Sequence, residues 1–330
     1  MPGALPRSAP AASAAPPPRA ANAEGEPRRV GVELEFHDLS AAEAGHVAAA
    51  VVGGEAQVVD AHHAAVVGGR YGDWTIKLDT ALAETAADPE GGWLERLVET
   101  ARDAALEAME TVTPIEIVAP PVPWPDLTLL DALCDALARA GAAGTNANFF
   151  YAFGTHLNVE AWSFEPTEIW RVVRAYGFIE PWLRERQGID GSRRLLPFVD
   201  PYPPASVAKL AETPPPETTE ALVDTCCALF PTRNFGLDLL PLLAHLNRQR
   251  TAAAVGEAPE TLAARPTFHY RLPDCRIGED GWSVLNEWEG WVQVERVAED
   301  ADAMAALERL WRGRGRFTAP TIEEIGAIAG

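Results

Sequence analysis

Gly31-Val32-Glu33-Leu34-Glu35-Phe36 alternates two carboxylates with three large apolar side chains. In a strand, residues two apart share a face. Glu33 and Glu35 therefore project together while Val32, Leu34 and Phe36 enter a core. Taken alone, the stretch reads first as a half-buried strand with a solvated face. Adjacent like charges repel, so a cationic partner is expected, and a divalent metal is a simple one.

The pattern recurs. Asp73–Asp79 sets Thr75, Lys77 and Asp79 against Trp74, Ile76 and Leu78. Ile115-Glu116-Ile117, His156-Leu157-Asn158-Val159-Glu160 and Phe268-His269-Tyr270-Arg271-Leu272 alternate in the same way. These polar positions hold the residue types that bind metals and phosphates. Joined in one antiparallel sheet, the five segments would pack one face on helices and make the other a charged floor. Helical and strand patterns mix without βαβ regularity, so the fold class expected is α+β.

Two domain-level expectations follow. Residues 1–28 are rich in Ala and Pro and nearly free of bulky apolar side chains, which predicts a disordered leader. Residues 29–330 read as one catalytic domain with a helical and loop insertion around 162–250. Ser40-Ala-Ala-Glu43 has the spacing of a capping box and predicts a helix to about Val52. Further helices are expected over 127–140, 166–186, 217–230, 237–250 and 282–311, with residues 187–217 as an excursion or lid.

A net charge of -21 disfavours nucleic acid and anionic membranes, which both require a basic footprint. No apolar run is long enough to span a bilayer. Four cysteines without CxxC or Cys/His zinc spacing suggest a reducing, cytoplasmic setting. No GxGxxG, Walker A, HExxH or GxSxG motif occurs. Clustered acids suit a hard cation, and Lys77 and Arg271 could hold phosphates, Arg271 through a bidentate fork. Phosphoryl chemistry is the expectation.

Five motifs stand in order: Gly31–Phe36, Trp74–Asp79, Glu116–Pro121, Gly154–Val159 and Arg265–Arg271. On them the chain resembles the amidoligase family of the carboxylate–amine ligase superfamily, related to glutamine synthetase and glutamate–cysteine ligase. The resemblance spans roughly residues 30–300. It implies an antiparallel-sheet ligase fold with ATP and Mg2+ (or Mn2+) on a concave polar face. ATP would phosphorylate a small-molecule or peptide carboxylate, and an amine would displace phosphate to give an amide or isopeptide bond.

The resemblance also implies roles. Glu33, Glu35 and Glu116 match metal-binding acids. Lys77, Asp79 and Arg271 match catalytic positions, with Asp79 placing the amine or a water. Lys77, His156, Asn158 and Arg271 match nucleotide-binding positions. Asn158 replaces the second His of a Gly-x-His-x-His segment, and His269 stands where the family has Glu. His269 would then alter one metal position, contact substrate, or mark lost activity. Arg233 and Asp238 lie in a segment where the family has Asn at the Asp238 position. Asp238 would serve the amine substrate or be a solvated helix residue. Two alternatives to a ligase stay open: a catalytically decayed nucleotide-binding or scaffold protein, and a metal-dependent hydrolase using His156 and His269.

Overall fold

Val30, Val32, Leu34 and Phe36 are fully buried, so the alternation at 29–36 does make a strand with one apolar face, and Glu33 and Glu35 on its other face are buried as well. A computed structural model describes residues 13–60, 62–78, 114–145, 153–189, 199–314 and 318–330. Strand β1 spans Arg29–Phe36. Around it stand β2 Glu55–Val58, β3 His63–Gly69, β4 Gly72–Leu78, β5 Ile115–Val118 and β6 Val122–Pro123. Strands β7 Thr155–Glu160, β8 Leu237–Asp238 and β9 Thr267–Tyr270 complete a nine-stranded sheet. Its order is β2-β3-β4-β5-β1-β7-β9-β8, with β6 also beside β1. Every named strand pairing is antiparallel.

The fold is α+β, as the mixed patterns predict. Helix α1, Ala41–Val52, opens on the expected Ser40–Glu43 capping box. It lays Ala44 and Ala48 over the apolar side of the sheet; a methyl group at Gly45 would lie 3.3 Å from the Ala64 Cβ. Helix α2, Thr128–Ala140, ends at Gly141, whose φ of 111° suits a residue without Cβ. Helix α3 is Pro166–Arg186, with Pro in its first turn as expected. Helix α4, Pro204–Glu212, buries Val207, Leu210 and Ala211. The described part of the expected lid is therefore packed structure.

Helix α5 is Thr219–Leu229 and α6 is Leu240–Val255. Leu237-Asp238, expected at the start of that last helix, is strand β8 instead. The apolar Leu237 is fully buried, and Asp238 caps the following chain by accepting from the Leu240 N–H at 2.9 Å. The expected long helix over 282–311 is two, α7 Val284–Glu299 and α8 Ala301–Arg312. Asp300 breaks it by accepting from the N–H groups of Asp302 and Ala303, an N-cap for α8. Helix α9, Ile322–Ala329, carries its own capping box at Thr321 and Glu324. Trp291 of α7 packs on Phe268 and Tyr270, under the apolar side of β9.

From residue 13 the expected leader is not loose. Ala14 is buried, Trp288 donates its indole N–H to the Ala15 carbonyl, and Trp124 donates to that of Ala20. Arg28, fully buried, forks onto Glu295 at 2.7 and 2.9 Å and donates to the Glu160 and Arg19 carbonyls. Composition alone missed this because few side chains of the segment are apolar; the anchoring comes from its backbone carbonyls and from the Arg28 side chain. Removing one partner strands a buried charge, at about 3–5 kcal/mol. Glu295→Ala is thus expected to lose roughly that much in urea unfolding, whereas a loss under about 1 kcal/mol would show the pair to be immaterial.

Candidate active site

Register brings the polar residues together. Glu35 sits opposite Glu116, and Glu116 opposite Lys77. Glu33 sits opposite His156, Gly31 opposite Asn158, Asn158 opposite His269, and His269 opposite Asp238. Partners directly opposite in an antiparallel sheet share a face, so six adjacent strands, β4-β5-β1-β7-β9-β8, supply one polar floor. Gly31 leaves room at the crowded rung: a Cβ there would approach the Asn158 Cβ to 3.3 Å.

The floor bounds a cavity of about 400 Å³. Glu33, Glu35, Lys77, Glu116, His156, Arg233, Asp238, His269 and Arg271 all line it. Asn158 lies beside it, bonded to Glu33. Asp79 lies outside the described residues. Asp238 is a buried strand residue facing this cavity, which removes the expectation of a solvated helix position. Leu240, Pro241, Leu262 and Ala263 form an apolar part of the wall.

Glu33 is the most heavily engaged group. Its Oε2 is 2.9 Å from His156 Nδ1; its Oε1 accepts from Asn158 Nδ2 and Arg265 Nη1, each at 2.9 Å. Asn158 Oδ1 accepts from Arg265 Nη1 at 3.1 Å and from His269 Nδ1 at 2.7 Å. An amide oxygen cannot donate, so His269 carries its proton on Nδ1 and keeps a lone pair on Nε2. Glu35 accepts from the Gly154 backbone N–H at 2.7 Å, and its other oxygen is 3.5 Å from His156 Nε2. Lys77 Nζ is 2.8 Å from Glu116. Arg271 donates to the Arg233 carbonyl at 2.6 Å.

Electrostatics separates these acids. Burial pushes the Glu33 carboxyl up, but the hydrogen bond and charge of His156, with lesser help from Arg265, hold it well below the usual range. Burial and then the charge of Glu33 push Glu116 up to about 7, against the pull of Lys77. Burial likewise raises Asp238 to about 6 despite Arg271. His269 is driven well below the ordinary imidazole value, chiefly by burial, and is therefore neutral.

Among the described residues two groups of three could hold a metal, each with ligand atoms within 4.8 Å of one another. One is Glu35, Glu116 and His156; the other is Glu33, His156 and His269. His156 belongs to both groups, with Glu35 and Glu116 in one and Glu33 in the other. Two carboxylates open to a cavity fit magnesium, which binds one or two acids and completes its shell with water and substrate phosphates. A carboxylate with two imidazoles does not fit it.

Arg265 is the residue that motif reading left without a role. Its signal was available: 265, 267, 269 and 271 follow the same period of two that places His269 on the polar side. The Gly154 amide could not have been found, since any residue supplies a backbone N–H.

A family model described as "Putative amidoligase enzyme" matches residues 26–293. The chain belongs to that amidoligase family. No curated protein and no solved structure matches it. The family is one of ligases that form carbon–nitrogen bonds, and the match covers all five motifs of the polar floor. No described helix is long and apolar enough to cross a membrane. Its four cysteines are buried, free thiols.

The Glu116 carboxyl gives a pH test. Its folded value, about 7, lies above the ordinary 4.5, so the folded chain holds this proton more tightly than the unfolded chain. That contribution is complete below the unfolded value and is lost as pH rises through the folded one. Glu116→Gln cannot ionise. Between about pH 5 and about pH 8, with a chelator present, its Tm should rise relative to the parent by roughly 5 °C. A difference flat across that range contradicts the assignment.

Proposed function

We propose that the protein is an ATP-dependent carboxylate–amine ligase working through an acyl phosphate. The observation that carries this reading is the joint presence, in one cavity, of Glu35 and Glu116 beside Lys77, Arg233 and Arg271. Acids that suit a hard cation, next to cations that suit phosphate, are the parts phosphoryl transfer needs. A lone polar floor for solvent would not bury Glu33, Glu35, Glu116, His156 and His269 together.

In the first step a substrate carboxylate oxygen attacks the γ-phosphorus of ATP, and the bond to ADP breaks. In the second an amine nitrogen attacks the acyl carbon, phosphate leaves with the former carboxylate oxygen, and the nitrogen loses a proton. Lys77, Arg271 and Arg233 stabilise the negative charge of the transferring and leaving phosphate, where fixed charge in a water-poor cavity is worth most. Glu35 and Glu116 would hold magnesium or manganese, which supplies charge neutralisation at the phosphates. Asp79 would place the amine, and Asp238 is a second anionic contact for it.

The antiparallel sheet with one charged face supports a glutamine synthetase-like or glutamate–cysteine ligase-like architecture. Small-molecule or peptide acids and amines fit a cavity of this size and polarity. The acidic surface argues against nucleic acid and anionic membrane partners. Free thiols support a reducing, cytoplasmic setting. The histidine-bearing group Glu33–His156–His269 favours one other reading, a metal-dependent hydrolase.

The test is ADP release measured across acids and amines with ATP and Mg2+. Release that requires both an acid and an amine is expected, and Lys77→Ala should lower kcat by about 100-fold or more. Hydrolysis of amides without nucleotide would favour the hydrolase. No nucleotide binding at millimolar ATP–Mg2+ would sink the ligase.

A further inference from the structure

The two candidate metal groups in the cavity differ in chemistry. Glu35 and Glu116 offer hard oxygen atoms, with His156 as a third member that both groups share. The group on β1, β7 and β9 offers one carboxylate, Glu33, and two imidazoles, His156 and His269. Imidazole suits zinc and its neighbours in the first transition row, whereas magnesium takes oxygen ligands. We propose that Glu33, His156 and His269 form a transition-metal site, separate in its ion from the magnesium position at Glu35 and Glu116.

Three features of the surroundings support this. First, the contacts of His269 place it in the tautomer of a metal ligand. Its Nδ1–H donates to Asn158 Oδ1 at 2.7 Å, leaving the Nε2 lone pair available. Ligating histidines almost always anchor their other nitrogen in this manner. Second, His156 lies between the two carboxylates: its Nδ1–H donates to Glu33 at 2.9 Å, a proton that a metal would replace, and Nε2 faces Glu35 at 3.5 Å. With Nδ1 as ligand, Nε2–H has a carboxylate to orient it. Third, Asn158 joins the parts. It donates to Glu33, accepts from His269 and stands opposite His269 in register.

Asn158 and His269 are bonded to each other. A histidine at 158 could not offer an amide oxygen to the His269 N–H while donating to Glu33 through a second atom of the same planar group. The pair reads as a donor set with its support in place. Asn158 is a positioning residue here.

The inference rests on reading the cavity as a metal-dependent site, but it does not require turnover. Dependence of ADP release on magnesium with no transition metal bound would leave the ligase standing and remove this site. A bound transition metal with no nucleotide binding would do the reverse.

The experiment uses the full chain, stripped of metal and titrated with Co2+, which reports its ligands through visible absorption. One tight equivalent of Co2+ is expected that a large excess of Mg2+ does not displace. Almost any nitrogen-bearing site prefers cobalt to magnesium, so the variants decide. His269→Glu should make that equivalent displaceable by Mg2+. Asn158→Ala should weaken Co2+ binding by about 10- to 100-fold, the usual effect of removing a ligand's support. A tight equivalent that survives His269→Ala unchanged, or Mg2+ competition identical in parent and His269→Glu, overturns the proposal. X-ray absorption on the parent loaded with one Zn2+ needs no variant: two imidazole nitrogens on zinc are expected, and one or none contradicts the site.

Discussion

Two carboxylates two residues apart on a buried strand must be held against their own repulsion. Glu33 and Glu35 are both buried, with Glu116 opposite Glu35 as a third acid. Desolvation and mutual charge would protonate some of them. The molecule divides the load. Glu33 keeps its charge because His156, Asn158 and Arg265 all bind it, and Glu116 carries the cost, with its carboxyl raised to about 7. Much of the polar floor follows from that division.

The sheet explains how so many donors reach one acid. Antiparallel register places β7 and β9 beside β1 on one side and β5 and β4 on the other. Each strand contributes one or two polar positions to the floor while its alternate positions bury Val, Leu, Ile, Phe or Trp beneath. A slip of one residue in β1 would bury Glu33 and Glu35 in the core and turn Leu34 toward the cavity. The apolar packing under the sheet, with Trp74 and Trp291 among its largest side chains, therefore also holds the charges in register. Stability and site are consequences of the same alternation.

That alternation is why so much was legible in advance. A period of two assigns faces without knowledge of strand order, so Lys77, Glu116, His156 and His269 could be grouped before any pairing was known. Ser40–Glu43 and Gly141 marked helix ends through local chemistry alone. What alternation cannot carry is long-range pairing. Arg28 with Glu295, 267 residues apart, depends on where the leader is laid down. The division of the acids into two groups was equally hidden, because it depends on which strands flank β1. Asp238 was misread because a two-residue strand is too short to show a period.

The central claim is that Glu35, Glu116 and the surrounding cations form a site for a nucleotide's phosphates. A crystal structure with a non-hydrolysable ATP analogue and Mg2+ tests it most directly. The account predicts the phosphates in this cavity, with magnesium bound by Glu35 and Glu116 and the γ-phosphate within reach of Lys77 or Arg271. A nucleotide bound elsewhere, or Glu116 still paired with Lys77 over an empty floor at saturating analogue, would contradict it.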